Sequence, residues 1–290
     1  MIKNYFQLLR MPQWIKNIFI FVPILFAKQL FFQSNFNTVV IAFIAFCLAS
    51  SSVYIINDLV DNELDKLHPV KKNRPIPAGR ISKKNAVITL CILIFIVVLL
   101  CLKLNDNFIF ALTGYVILNI AYSLVLKHIV ILDIISVASG FMLRVLAGAF
   151  VISVYISSWL ILTTLFISLF LAIMKRRSEL NLIFNENTNV TRKVLAEYSV
   201  GFTEQMAAIS AAGVIICYAL YSVSERTVQY VKSEVLVFTT IFVVFGIFRF
   251  MYLVYMKSKG ENATEVMMTD IPMILNIILY VATVIFVLYK

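Results

Sequence analysis

The sequence predicts an all-α integral membrane protein, a bundle of nine transmembrane helices. Three observations predict it. Hydrophobic residues make up 61% of the 290 positions and charged residues only 14%. With a mean hydropathy of +0.94, no soluble domain of this size could hide the apolar surface. The apolar runs recur at about 20 residues, the length a helix needs to cross the hydrocarbon core. They lack the short alternating pattern of transmembrane strands, and helices satisfy their own backbone in lipid.

In order, the spans read as 15–32, 37–56, 86–104, 107–126, 130–152, 157–174, 204–223, 235–256 and 270–289, within a single domain 1–290. Before the first, "MPQWIKN" offers Pro12 for an opening helical turn and Trp14 as an interfacial anchor. Pro12 and Lys16 interrupt any signal-peptide core, so no cleavable leader is expected. Cys47, Cys91, Cys101 and Cys217 all fall within or at the end of apolar runs. They read as small hydrophobes rather than disulfides or metal ligands.

The net charge of +10 reports topology rather than nucleic-acid binding. With the N-terminus in the cytosol, nine spans put most Lys and Arg on the cytosolic side, Arg192 and Lys259 among them. The far side, with the C-terminus, keeps Lys28, Lys103, Arg226, Lys232 and Lys290. This is the positive-inside bias of a multi-pass protein of the plasma or inner cell membrane. The two long polar loops, 57–85 and 175–203, then both face the cytosol, where the active site is expected. Arg144 and Arg249 lie within spans, Arg249 with no evident partner.

The loop after the second span begins "NDLVDNELD". If the helix continues, Asn57, Asp61 and Asp65 share one face at i, i+4 and i+8, flanked by Asp58. Like charges at this spacing repel, so a cation is expected among them. Hard oxygen ligands at a membrane surface suit Mg²⁺, which takes one or two carboxylates plus phosphate oxygens; the glycine and terminal glutamate of an EF-hand are missing. The alternative is a solvated helix end paired with Lys66, Lys71 and Lys72. Then follows "HPVKKNRPIPAG", where Lys72 and Arg74 suit phosphate and Pro69, Pro75 and Pro77 stiffen the chain. His68 has no assigned role. Asp133 and Arg144, about three turns apart on the fifth span, share a face for structural pairing or ligand contact.

"NDLVDNELD" resembles the NDxxDxxxD motif of the UbiA superfamily of membrane prenyltransferases, and the resemblance runs over nearly the whole chain. It implies nine helices and a diphosphate held through Mg²⁺ by Asn57, Asp58, Asp61 and Asp65, with the aspartates catalytic. The second aspartate-rich motif of ordinary members, DxxxD, is replaced by "KRRSEL", with Lys175, Arg176 and Arg177. Basic groups at a helix end attract phosphate directly; simple positive-inside anchoring is the other reading. Four blocks resemble the decaprenyl-phosphate phosphoribosyltransferase branch: Gln13, Trp14, Lys16 and Asn17; Tyr122 through Lys127, His128, Asp133 and Arg144 to Gly148; Trp159 with 175–180; and Arg192, Tyr198 and 218–222.

The branch implies transfer of 5-phosphoribosyl from 5-phosphoribosyl diphosphate (PRPP) to a polyprenyl phosphate, releasing diphosphate, in cell-envelope biogenesis. Lys16, Asn17, Asn57, Lys72, Arg74, Tyr122, Lys127, Asp133, Arg144, Lys175, Arg176 and Arg177 are the expected substrate contacts. The partners expected are PRPP, the lipid acceptor and the bilayer, with no nucleic acid; a homo-oligomer is left open. The alternatives are an isoprenyl transfer to an aromatic acceptor, and transport of an anionic solute.

Overall fold

The computed structural model describes residues 2–67, 71–186, 193–257 and 269–290, with the backbone alone over 181–186 and at 193. His68, Pro69, Arg192 and Lys259 lie outside the described residues. Among the described residues eight helices are long and apolar enough to span a membrane, and a bent pair supplies up to a ninth crossing. The chain divides into two compact units, Met1–Lys127 with Leu143–Val154, and His128–Met142 with Tyr155–Lys290.

The first crossing departs from the expected continuous helix over 15–32. It starts at α1 (Ile2–Leu8), turns at Arg10, runs as a 3-10 helix over Met11–Phe21 and ends in α2 (Val22–Phe26). The two parts are bent by 48°. Pro12 and Pro23 each remove a backbone donor, which disfavours a regular α-helix through them. Arg10 sits at φ 50°, the left-handed region. The Ser51 hydroxyl donates to Leu9 O at 2.7 Å and accepts from Trp14 Nε1 at 3.0 Å, tying the bend to α3 (Gln33–Val60).

In the first unit α3 is the central element. It is lined by buried Ala42, Ala45, Ala49, Ser50 and Ser51, small residues that let neighbouring backbones approach. α4 (Asn62–Leu67) follows at once. α5 (Lys83–Cys101) is capped by Ser82 and α6 (Asp106–Leu124) by Asn105, whose amide also donates to Phe150 O at 2.6 Å. Phe46, Phe108 and Tyr115 form the aromatic centre, with Phe46–Tyr115 centroids 4.8 Å apart. α7 (Leu132–Val151) meets the first crossing at Gly148, where an added Cβ would fall 2.1 Å from Ile20 O.

In the second unit α8 (Ser158–Glu186) packs along α9 (Val200–Val223), with the Phe166 ring against Gly213. The cations expected in a loop after residue 174 sit instead within α8. Lys, Arg, Glu and Leu are good helix formers, and Arg176–Glu179 and Lys175–Glu179 pair at i,i+3 and i,i+4. α9 likewise begins four residues before the expected 204. α10 (Glu225–Val231), α11 (Thr240–Lys257) and α12 (Ile271–Tyr289) complete the chain. Asp270 caps α12 through Met273 N and accepts from Arg249 Nε and Nη2, at 3.0 and 2.8 Å, which supplies the intraspan arginine with the partner the sequence did not reveal.

Gly148→Ala should lower the thermal stability of the purified protein, because backbone atoms on both sides must shift; overpacking of this kind costs about 1–3 kcal/mol. Gly201→Ala, where an added Cβ meets nothing within 4 Å, should be neutral or stabilising by about 0.4–1 kcal/mol. Thermal unfolding in detergent compares the two.

Candidate functional site

The polar face begins where α3 ends. Asp61 interrupts regular helix, yet Asp61 N still bonds Asn57 O at 2.9 Å and Asp65 N bonds Asp61 O at 2.8 Å. Helical winding is therefore nearly kept from α3 into α4, as the i, i+4, i+8 reading requires. The buried members of the face are Asp58, Asn62 and Asp65, at 1%, 2% and 3% exposure, while Asn57 and Asp61 are half-buried.

Buried carboxylates need compensation, and the first unit supplies it. Arg74 Nη1 lies 3.0 Å from Asp58 Oδ1 and 2.5 Å from Asp65 Oδ2, so one guanidinium nitrogen joins both acids. Arg10 also donates to Asp58 and stacks 4.6 Å from the centre of the Tyr54 ring. Lys71 stands 3.8 Å from Asp65, and Lys127 Nζ 3.1 Å from Asp61 Oδ2. The basic stretch 71–74 thus folds back over the acids, as a loop stiffened by buried Pro75 and Ile76 permits. Lys72 is exposed. Outside the spans, the Glu63 carboxyl is held below the usual carboxylate range, mainly by its hydrogen bond from Lys66.

A second cationic group lies deeper in the same unit. Arg144 Nε donates to Asn17 Oδ1 at 2.7 Å and Nη2 to the Tyr115 hydroxyl at 2.9 Å. Asn17 Nδ2 turns to Cys47 Sγ and Ser50 Oγ, at 3.2 and 3.3 Å. Asn17 therefore orients Arg144. The electrostatic neighbours of Lys16 are Arg144, Arg10 and Tyr122, two of them cations. A lysine that feels two other cations is stabilised by an anion.

In the second unit the predicted contacts meet one another. Asp133, at 0% exposure, accepts from Arg176 Nε at 2.6 Å and from the Tyr198 hydroxyl at 2.7 Å; that hydroxyl also accepts from Ile131 N at 2.7 Å. Arg176 Nη1 donates to Glu179 at 2.6 Å. Arg177 pairs with Glu204 at 2.8 Å and lies 4.1 Å from the centre of the Tyr255 ring. Lys175 is exposed, 3.9 Å from Glu179. Asp133 and Arg144 share α7, but Asp133 is held by Arg176 and Arg144 by Asn17. Arg10, Asn62, Glu179 and Glu204 join these clusters without a signal strong enough to single them out from sequence. Asn62 could have been found by its i+4 spacing from Asp58.

Among the described residues no three His, Cys, Asp or Glu side chains converge as a metal cage. The donor set still fits Mg²⁺, which uses few protein carboxylates and takes its other ligands from water and phosphate. Asp58 and Asp65 already converge on one cationic nitrogen. Asn57 and Asp61 stand half-buried beside them and carry further side-chain oxygens.

Burial, and then the hydrogen bond to Asp133, push the Tyr198 phenol above its ordinary value. Its contribution to stability is thus fully present below the unfolded tyrosine value near about 10 and is lost as pH rises through the higher folded one. Tyr198→Phe should cost about 1–3 kcal/mol by stranding Asp133 and the Ile131 N–H. The gap between wild type and variant in pH-resolved unfolding should stay constant through neutrality and narrow above about pH 10.

The UbiA prenyltransferase family model matches residues 18–269 and so runs through both units. The decaprenyl-phosphate phosphoribosyltransferase of Mycolicibacterium smegmatis is 33% identical over 78% of this chain and 72% of its own. That of Corynebacterium glutamicum is 34% identical over 73% and 65%. A UbiA homolog from Archaeoglobus fulgidus, solved with GPP and Mg²⁺, superposes with a TM-score of 0.74 at 17% identity, covering 99% of this chain and all of that one. The fold is therefore the UbiA fold. The chain belongs to the UbiA prenyltransferase family, in its decaprenyl-phosphate phosphoribosyltransferase branch.

Proposed function

We propose that this chain transfers 5-phosphoribosyl from PRPP to a membrane-held polyprenyl phosphate and releases diphosphate. The relatives at 33 and 34% identity carry that activity in their names. The observation that carries the reading is the cationic surround of the aspartate face: Arg10, Arg74, Lys71 and Lys127 on the acids, with Lys16 and Arg144 deeper in the same unit. Two anionic substrates approach each other only where their charge is neutralised. A prenyl diphosphate with an aromatic acceptor brings fewer phosphate groups together.

Asn57, Asp58, Asp61 and Asp65 would hold Mg²⁺, which when bound supplies charge stabilisation for the departing diphosphate. Arg74 is suited to turn its planar fork from the two aspartates to donor phosphate oxygens. Lys71 and exposed Lys72 add point charges at the open edge. Lys16 and Arg144, fixed by Asn17, offer the site for the lipid's phosphate. An oxygen of that phosphate attacks C1 of the ribose. The C1–O bond to diphosphate breaks, its electron pair leaves with the diphosphate, and the anomeric centre inverts. A phosphate monoester is already anionic near neutral pH, so no strong base is needed. Orientation and charge stabilisation carry the rate.

The excess of Lys and Arg on the loops joining alternate spans supports a cytosolic N-terminus and a cytosol-facing site, where soluble PRPP is available. Incubation of purified protein with Mg²⁺, polyprenyl phosphate and labelled PRPP should put label into the lipid extract. EDTA should abolish the transfer, and Asp61→Asn should lower it about 100-fold or more, the scale of one lost electrostatic stabiliser. No labelled lipid, with isoprenyl passing from a prenyl diphosphate to an aromatic acceptor instead, would replace this reading by the second.

A further inference from the structure

The face formed by α3 and α4 contains one buried polar atom that nothing among the described residues satisfies. Asn62 is 2% exposed, and its Oδ1 has no hydrogen-bond partner among the described residues. The orientation of its carboxamide is set by the other end, since Nδ2 donates to Glu63 Oε1 at 2.7 Å. The oxygen is therefore the orphan. A buried acceptor left without a donor costs free energy comparable to a lost hydrogen bond, so one is retained where a ligand completes it.

Position says what that ligand is. With helical winding nearly kept across Asp61, Asp58, Asn62 and Asp65 fall within an arc of about 60°. These three are the buried members of the face, and both carboxylates converge on Arg74 Nη1. An amide oxygen is an acceptor only, and on this face it has two carboxylates, not donors, for buried neighbours. It calls for a cation or for a water polarised by one, not for an anion.

We propose that Asn62 Oδ1 is a further oxygen ligand of the divalent cation held by Asp58 and Asp65, either directly or through a metal-bound water. The position lies between the aspartates of NDLVDNELD and outside the residues the motif itself assigns. The role rests on the metal-dependent reading above, and it concerns metal affinity rather than the transfer step. Glu63, anchored by Lys66 at 2.9 Å, keeps the carboxamide turned so that its oxygen faces inward.

Mn²⁺ serves as a spectroscopic stand-in. Its free concentration is followed by electron paramagnetic resonance as it is titrated into the full-length protein in nanodiscs, with and without inorganic pyrophosphate. Asn62→Leu, which keeps the size and removes the oxygen, should weaken Mn²⁺ binding about 10- to 100-fold, the range seen when partners that support metal ligands are lost. Asn62→Asp, which keeps an oxygen, should bind at least as tightly as wild type. Asn62→Leu binding Mn²⁺ like wild type, while Asp65→Asn loses it, overturns the role of Asn62 and leaves the proposed activity standing. Equal weakening in the Leu and Asp variants marks a packing effect and also overturns it. A wild-type protein that binds no Mn²⁺ even with pyrophosphate overturns the metal reading itself.

Discussion

The site depends on one constraint: carboxylates taken out of water at the end of a membrane-spanning helix must be neutralised. Asp58 and Asp65 are nearly inaccessible, and their charge is met by one nitrogen of Arg74, reinforced by Arg10 on Asp58 and Lys71 on Asp65. Removing a partner from such a pair would strand a buried charge. The fold of 71–81 follows from that need. It returns the basic stretch onto the acids and then releases the chain into α5. The same pairing holds the two aspartates together on one guanidinium nitrogen.

The second unit shows the same rule with a different outcome. Asp133 and Arg176 are both buried and bind each other, with Tyr198 and Glu179 filling the remaining positions. Asp133 and Arg176 are held mainly by each other, whereas Arg177, paired with Glu204, keeps a buried Nη1 without a partner among the described residues. What reads in sequence as a single basic cluster is three residues in three environments. Consecutive residues on a helix point about 100° apart, and only Lys175 turns outward.

Much of this was legible beforehand. Apolar length located eight of the crossings, since spanning a bilayer imposes nearly the same demand on every helix. The helical winding through the acids was legible because their spacing matches a helical period, but not that Asp58 and Asn62, rather than Asn57 and Asp61, are buried with Asp65. The first crossing was not: Pro12 and Pro23 mark where a helix is perturbed, but whether the chain bends, breaks or tightens into a 3-10 turn depends on what packs beside it. Ser51 and Trp14 decide that here. Arg249 lacked a partner in sequence because Asp270 lies 21 residues away on the cap of another helix.

By itself, the sequence determined the class of the protein, the family to which it belongs and the place where its charges concentrate, because hydropathy, helical period and motif spacing are local properties of the chain. Only tertiary structure decided which charge meets which. It joined Arg10 and Arg74 to Asp58, gave Arg144 to Asn17 and Asp133 to Arg176, and left the Asn62 oxygen without a donor among the described residues. Pairing across tens of residues depends on how backbones approach, and that approach is set by packing rather than by order along the chain.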